Sequence, residues 1–302
     1  MIDVAVILVG MNARKFVLEC IASIYACPWS GVSFEIVYVD NGSKDGSVEG
    51  VQKEFSQVRV IANPSNLGFC PAANQGARSS GARYFYFIND DTLVQGDAIA
   101  HLVRYCDGQD HIGTVGSRLI FPDGREQYSG RRFPTLWSAV FGRRSRLTAI
   151  FPRAAPVRDY LCMDELRRGE PFAADWVSAA AQIVPREVFW AVGGYADDYY
   201  YWHEAVFCYR LRQRGYRVVL DPGSTVIHYE GFGSGPRSPQ VQRFHIVNFH
   251  TGAFRCYCEL NNLRWRHPWF WLLAAAMTGR AALLCLETYV RSAGTTRPGH
   301  AS

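Results

Sequence analysis

The sequence predicts an α/β fold with a mostly parallel central sheet, helices on both faces and a C-terminal helical appendage. Three observations carry this. Apolar runs and amphipathic stretches alternate five times in the first part of the chain. The runs are continuously apolar rather than alternating, as in strands covered on both faces. The 302 residues, 48% of them hydrophobic, suffice for one large domain or one domain with an appendage.

Each element can be read in order. Val4 to Val9 is a buried strand. Residues 13–26 place Phe16, Val17, Cys20, Ile21 and Ile24 at helical spacing. "FEIVYV" is a second strand, ending at Asp40. "NGSKDGS" is turn chemistry, with Asp45 or Ser47 suited to cap the next helix. "VRVIAN" is a third strand, and "LGFCPAANQGARSSG" is a loop running into a small-residue helix. "YFYFI" is the fourth strand, followed by a helix from Gly96 to Cys106 and a strand at "TVGSRLI". From Arg125 to Pro171 the pattern breaks into an Arg-rich excursion, of a length that is often functional. "DWVSAAAQIV" and "REVFWAVGGY" restore order. "EAVFCYRLRQRG" is a helix ended by Gly215. "YRVVLDP" and "STVIHYE" are two further strands. A Gly/Ser/Pro linker begins at Gly231. From about Pro239 the chain is helical and aromatic, with Trp265, Trp269 and Trp271.

Charge and cysteine usage narrow the class. A net charge of +5 is mild and does not suggest a nucleic-acid partner. Only three of the 32 basic residues are Lys; Arg suits phosphate contacts, but a G+C-rich coding sequence gives the same bias and is the preferred reading. The nine Cys show no CxxC pair and no zinc spacing, which points to reduced thiols and a cytoplasmic setting. No signal-peptide pattern opens the chain. No run of about eighteen uncharged apolar residues occurs. The nearest, "PWFWLLAAAMTG", is interrupted by Arg280, so no spanning helix is expected.

The stretch "YFYFINDDT" poses the chemical question. A core strand delivers Asp90 and Asp91 side by side, and two adjacent anions repel unless a cation separates them. Asp40 stands at the end of another strand, on the rim where open α/β sheets bind ligands. The first turn, "GMNARK", lacks the GxGxxG fingerprint, and no Walker A loop occurs. A rim of carboxylates can hold a diphosphate only through a divalent cation, and Mg²⁺ typically takes one or two carboxylates plus phosphate oxygens.

Six motifs in order now matter: "VDNGSKDGS", "NPSNLGFCPAANQGA", "FINDDT", "SGRRFPT", "DWVSAAAQIVPREVFWAVGGY" and "RLRQRGYRVVLDP". Together they resemble the family 2 glycosyltransferases of the GT-A (nucleotide-diphospho-sugar transferase) fold, with the bacterial rhamnosyltransferase-like group nearest. The resemblance covers about residues 2–232. It implies a catalytic domain at 1–235, with a nucleotide-binding half at 1–120 and an acceptor and catalytic half at 121–235, then a helical segment at 236–302. It implies donor contacts from Val9, Asn12, Asp40, Asn41, Gly42, Asn66, Gly68, Asn74, Asn89 and Asp90. Mg²⁺ or Mn²⁺ would sit on Asp91 and His228. Trp176, Trp202 and His203 would meet the acceptor, and Glu204 would be the catalytic base of an inverting transfer. The chain departs from the family at that base. Where the family usually has two acids and another acid two residues on, it reads His203, Glu204, Ala205, Val206. A Glu in place of the usual Asp shifts the carboxylate by about one bond, and a misplacement of that size can cost about a hundredfold.

Plainer readings stay open beside these. The Asn89–Asp91 and Asp40–Gly42 groups could be simple turns. His228 could be a core histidine, and Glu204 an acid placed for the helix dipole. Trp176 and Tyr199–Trp202 could be core aromatics. The Arg-rich excursion is a solvated surface or a contact for an anionic lipid-linked acceptor. The C-terminal helices are a packed appendage or an interfacial membrane segment on the inner face of the cell membrane. The function expected is sugar transfer, with rhamnose the sugar the resemblance suggests, from a nucleoside-diphosphate donor to a cell-surface glycan or lipid-linked acceptor. The alternative is a catalytically impaired nucleotide-sugar binder acting as an assembly partner. A nucleotidyltransferase is disfavoured by the missing Gly-rich basic loop. A homo-oligomer is left open.

Overall fold

The computed structural model describes residues 1–135, 150–151, 153–230 and 238–295. Residues 136–149 and 152 of the expected excursion lie outside them, as do 231–237 of the expected linker, with the boundary at 235. The first half runs β1 (Val4–Gly10), α1 (Arg14–Tyr25), β2 (Phe34–Asp40), α2 (Ser47–Glu54), β3 (Arg59–Ala62), α3 (Phe69–Arg78), β4 (Tyr84–Asn89), β5 (Thr92–Val94), α4 (Ala98–Asp107) and β6 (Ile112–Ile120). The rest is β7 (Gly130–Arg131), α5 (Ala155–Tyr160), α6 (Met163–Arg167), β8 (Phe172–Ala173), β9 (Trp176–Val177), β10 (Ala181–Pro185), α7 (Arg186–Ala191), α8 (His203–Gln213), β11 (Arg217–His228), α9 (Pro239–Leu260) and α10 (Pro268–Thr295).

The main sheet has the order β3-β2-β1-β4-β10-β6-β11-β5, with β8 added on β11. Its faces explain the apolar runs. Val4, Val6 and Leu8 point into one core with α1, α2 and α4. Ala5 and Ile7 point into the other with α3, α7 and α8. Both faces of β1 are therefore dry, and every residue along it can be apolar.

Two details differ from the sequence expectation. The strand in "DWVSAAAQIV" enters the sheet antiparallel, between β4 and β6, so the sheet is mixed. "YRVVLDP" and "STVIHYE" form one strand, β11, whose register on β6 shifts between Asp221 and Thr225. Pro222 cannot donate to the ladder and Gly223 bends easily, so the chain bulges there without leaving the sheet.

The C-terminal helices also differ. Helix α10 runs without a break through Arg280. Its segment Pro268–Val290, 23 residues, is long and apolar enough to cross a membrane by length and composition, and none of its most apolar stretch is fully buried. Arg280 interrupts the apolar run of residues but not the helix, because backbone hydrogen bonding does not depend on that side chain. Helix α9, by contrast, is seated on the body. Tyr201 hydroxyl meets His245 Nδ1 at 2.8 Å, and Arg210 pairs with Glu259 at 2.9 Å. At Gly252 a Cβ would lie 2.7 Å from the Tyr201 carbonyl oxygen and 3.2 Å from the Trp202 ring. Gly252→Ala is thus expected to lower stability by about 1–3 kcal/mol. Thermal unfolding checks this, and an unaffected midpoint would show that α9 does not press on the 201–202 turn.

Candidate active site

Parallel register decides which residues meet at the rim. Gly10 pairs with Asp40 on one side, and Val9 with Asn89 on the other. The ends of β2 and β4 therefore flank the end of β1, with Asp40 and Asp90 on either side of Gly10. Asp40 is buried; its carboxylate accepts from the Tyr38 hydroxyl (3.0 Å) and the amides of Gly42 (3.1 Å) and Ser43 (2.8 Å). Asn41 donates its backbone amide to Gly10 and its side chain to the Gly68 carbonyl at 3.2 Å. Asn12 accepts from the Lys44 amide, and Asn66 from the Gly68 amide, each at 2.8 Å. Gly42 has φ +81°, and a Cβ there would come within 2.9 Å of the Ser65 backbone, so only Gly fits. Val9, Asn12, Asp40–Gly42, Asn66 and Gly68 thus gather in one place.

Asn74 does not join them. Its side chain is buried, donates to the Tyr195 carbonyl (2.8 Å) and Asp197 (2.7 Å), and accepts from the Tyr195 amide (3.0 Å). It ties α3 to the turn before α8, so the expected donor contact is corrected to a positioning role.

Asp90 and Asp91 form the turn between β4 and β5, where the Thr92 hydroxyl donates to the Asn89 carbonyl at 2.7 Å. The plain turn reading is accurate for the backbone but leaves the carboxylates unexplained. Asp90 Oδ2 is buried with no hydrogen-bond partner, and it lies 2.4 Å from where a Gly10 Cβ would stand. Burial first, then the neighbouring Asp91, push the Asp90 carboxyl from 3.8 up to about 8. Asp91 Oδ1 is 3.2 Å from His228 Nε2, and Asn89 Nδ2 is 3.3 Å from the same nitrogen. The other ring nitrogen, Nδ1, lies 2.8 Å from Gln127 Oε1, while Gln127 Nε2 donates to the His228 carbonyl. That orientation of the amide requires a proton on Nδ1 and leaves the Nε2 lone pair facing Asp91.

A divalent cation fits this pair. No group of three or more His, Cys, Asp or Glu suited to a metal occurs among the described residues; an ion on Asp91 and His228 would take its remaining ligands from outside that pair, such as the phosphate oxygens that Mg²⁺ sites use. The 3.2 Å between Asp91 Oδ1 and His228 Nε2 is close to the roughly 3.0 Å between neighbouring ligands of an octahedral ion at about 2.1 Å. The orphaned Asp90 oxygen beside it, on a carboxyl whose ionisation is suppressed by burial and by Asp91, is the second sign that positive charge belongs here.

The other half of the rim is the start of α8. Trp202 takes a left-handed conformation (φ 69°) that turns the chain into the helix. Glu204 sits in its first turn. Its Oε2 is buried without a hydrogen bond, 3.4 Å from His203 Nδ1. Both ring nitrogens of His203 are buried and lack a hydrogen bond, and its ring packs on Phe69 (4.9 Å) and Tyr195 (5.5 Å). Burial pushes its pKa down, with Glu204 opposing, so the imidazole is neutral. The Trp202 indole nitrogen is also buried and unpartnered. Phe69 follows Gly68, so the Asn41–Gly68 bond links the two halves of the rim. Val206, where the family usually has an acid, is core. Trp176 is corrected to a core residue as well: it is 3% exposed, its indole donates to the Arg132 carbonyl at 2.9 Å, and the Arg131 guanidinium covers its ring.

The sequence model described as glycosyl transferase family 2 matches residues 5–164. The chain belongs to this family. Over 271 residues this family 2 glycosyltransferase is 25% identical to the N-acetylglucosaminyl-diphospho-decaprenol L-rhamnosyltransferase of Mycobacterium tuberculosis, spanning 85% of each chain. It is similar in fold to two solved structures. One is GalNAc-T7 with UDP, GalNAc and Mn²⁺, at 18% identity and TM-score 0.58, over 82% of this chain and 48% of that one. The other is a mannosyltransferase of Pyrobaculum calidifontis with GDP-Man and Mn²⁺, at 16% identity and TM-score 0.56, over 97% of this chain and 80% of that one. The fold is GT-A.

Sequence reasoning missed Tyr38, Gln127 and Gly10. Tyr38 could have been found, because it stands two residues before Asp40 on the same side of a strand. Gly10 follows from register once β1 and β4 are paired. Gln127 lies in a stretch without periodicity and is recognisable only in three dimensions. Two outcomes are expected. The folded chain holds a proton on Asp90 that the unfolded chain releases, so stability of the metal-free protein falls as pH rises from about 4 to about 8. Asp90→Asn should flatten that slope in urea unfolding, and an unchanged slope would contradict the assignment. Gln127→Leu should weaken Mn²⁺ affinity in the presence of nucleoside diphosphate by about 10–100-fold; titration with unaltered affinity would remove Gln127 from the site.

Proposed function

We propose that this glycosyltransferase is an inverting, divalent-metal-dependent enzyme that moves a sugar, rhamnose by likeness to the mycobacterial relative, from a nucleoside diphosphate to a lipid-linked acceptor of cell-surface glycan synthesis. The observation that carries it is one rim holding both a metal-ready pair, Asp91 and His228, and an unpartnered buried carboxylate oxygen on Glu204. Asp40, Asn41 and the Gly68 loop face the nucleotide. Asp91 and His228 hold Mg²⁺ or Mn²⁺, which when bound offsets the charge of the departing diphosphate. Glu204 takes the proton from the acceptor hydroxyl as that oxygen bonds to the anomeric carbon and the bond to the diphosphate breaks. Neutral His203 leaves the charge of Glu204 uncompensated and therefore available. The unpartnered Trp202 indole donates to the acceptor sugar. The protein works in the cytoplasm, at the inner face of the membrane that carries its acceptor.

Calorimetric titration of UDP, dTDP and GDP, each with and without Mn²⁺, should find one nucleotide that binds only with metal, with binding lost in Asp91→Ala. Glu204→Gln should keep that binding and lower kcat by about 10²–10⁴-fold. Wild type that binds donor yet transfers to no acceptor would overturn this reading in favour of a non-catalytic assembly partner.

A further inference from the structure

Helix α10 is apolar on two sides. Phe270, Leu273, Met277 and Leu284 are half-buried at helical spacing. The ring contact of Phe270 with Phe254 (5.0 Å) and the Arg243 guanidinium over Tyr289 (5.5 Å) set α10 antiparallel along α9. On its other side Trp269, Trp271, Leu272, Leu283, Leu286 and Val290 are each more than half exposed. Apart from the strip that holds Arg280 and Glu287, the helix is apolar on both its packed and its open side, and an apolar side needs cover. The length and hydropathy of this one suit a bilayer, and Trp265, Trp269 and Trp271 at one end suit the headgroup level.

The apolar surface continues from this hairpin to the candidate base. On α9, Phe244 and Phe249 are 50% and 45% exposed. Their rings belong to an unbroken series: Phe244 to Tyr200 at 5.0 Å, Tyr200 to Tyr201 at 5.1 Å, Tyr201 to Phe249 at 5.8 Å and Phe249 to Trp202 at 5.5 Å. Trp202 immediately precedes His203 and Glu204. The Gly252 contact presses α9 onto this turn, so the series is held in place. A path of rings, exposed at Phe244, Tyr200 and Phe249 and half-buried at Tyr201 and Trp202, from a bilayer-length helix to an unpartnered carboxylate oxygen fits a molecule that is hydrocarbon at one end and sugar at the other.

We propose that these rings dock the hydrocarbon chain of a polyisoprenyl diphosphate-linked acceptor. The chain leaves the bilayer at the α9–α10 hairpin and crosses Phe244, Tyr200 and Phe249, so that the sugar it carries reaches Trp202 and Glu204. The proposal rests on the functional reading above and names the part of the protein that selects its lipid acceptor.

The test uses the full-length protein and two acceptors with one diphospho-sugar head, one on a long polyisoprenyl chain and one on a short water-soluble alkyl chain. Phe244→Ser and Phe249→Ser should each lower the long-over-short ratio of kcat/KM by about tenfold. Donor affinity and binding to acceptor-free phospholipid vesicles should stay at wild-type values. Equal losses on both acceptors, or an unchanged ratio, would overturn the proposal. Loss of vesicle binding would assign the rings to the bilayer itself, and loss of self-association in sedimentation to a second copy; either overturns it. Wild type that uses both acceptors equally well sinks the docking surface alone, whereas wild type that uses neither sinks the functional reading with it.

Discussion

The site is organised by one unfavourable arrangement, the Asp90 carboxyl set beside Asp91 with one of its oxygens buried and unpartnered. Gly10 makes it possible, because any side chain there would occupy the position of Asp90 Oδ2. Asp90 and Asp91 are consecutive in the chain, and parallel pairing of β1 with β2 and β4 brings Asp40 level with them. Among the described residues no Lys or Arg pairs with either carboxylate. The protein places a His228 lone pair opposite Asp91 and fixes that lone pair through Gln127. Asp90 protonates in the absence of a cation, and a cation with its diphosphate is the natural replacement for that proton.

The second half of the rim follows different physics. Around Glu204 the difficulty is desolvation without partners: the Trp202 indole, both His203 nitrogens and one Glu204 oxygen are buried and unsatisfied together. Such groups destabilise a fold individually, and their concentration at one turn is what a preorganised acceptor site requires. The departures at 203 and 206 belong to the same picture. Val206 is absorbed into the core, and His203 is neutral and packed between Phe69 and Tyr195. Neither supplies a charge that competes with Glu204.

Much of this was legible in the sequence, for physical reasons. The strands β1 and β4 and the second half of β2 are dry on both faces, so they read as continuous apolar runs, and Asp40 and Asp90 stand out because they end such runs. The antiparallel entry of β10 was not legible, since an apolar run carries no direction. Trp176 and Asn74 were misplaced because a buried Trp or Asn looks the same in sequence whether it serves a ligand or a neighbouring backbone; only the Arg132 carbonyl and the Tyr195 backbone decide. Arg280 misled in the opposite direction. One charge interrupts a run of letters but not a helix, and α10 passes straight through it.

The claim on which the account depends is that Asp91 and His228 bind one ion together. Pulsed electron paramagnetic resonance of Mn²⁺ bound with nucleoside diphosphate measures this directly, because a coordinated imidazole nitrogen couples to the electron spin. The account expects coupling from a single imidazole in the wild type and its loss in His228→Leu. Absence of nitrogen coupling in the wild type, or the same coupling in the variant, would contradict it.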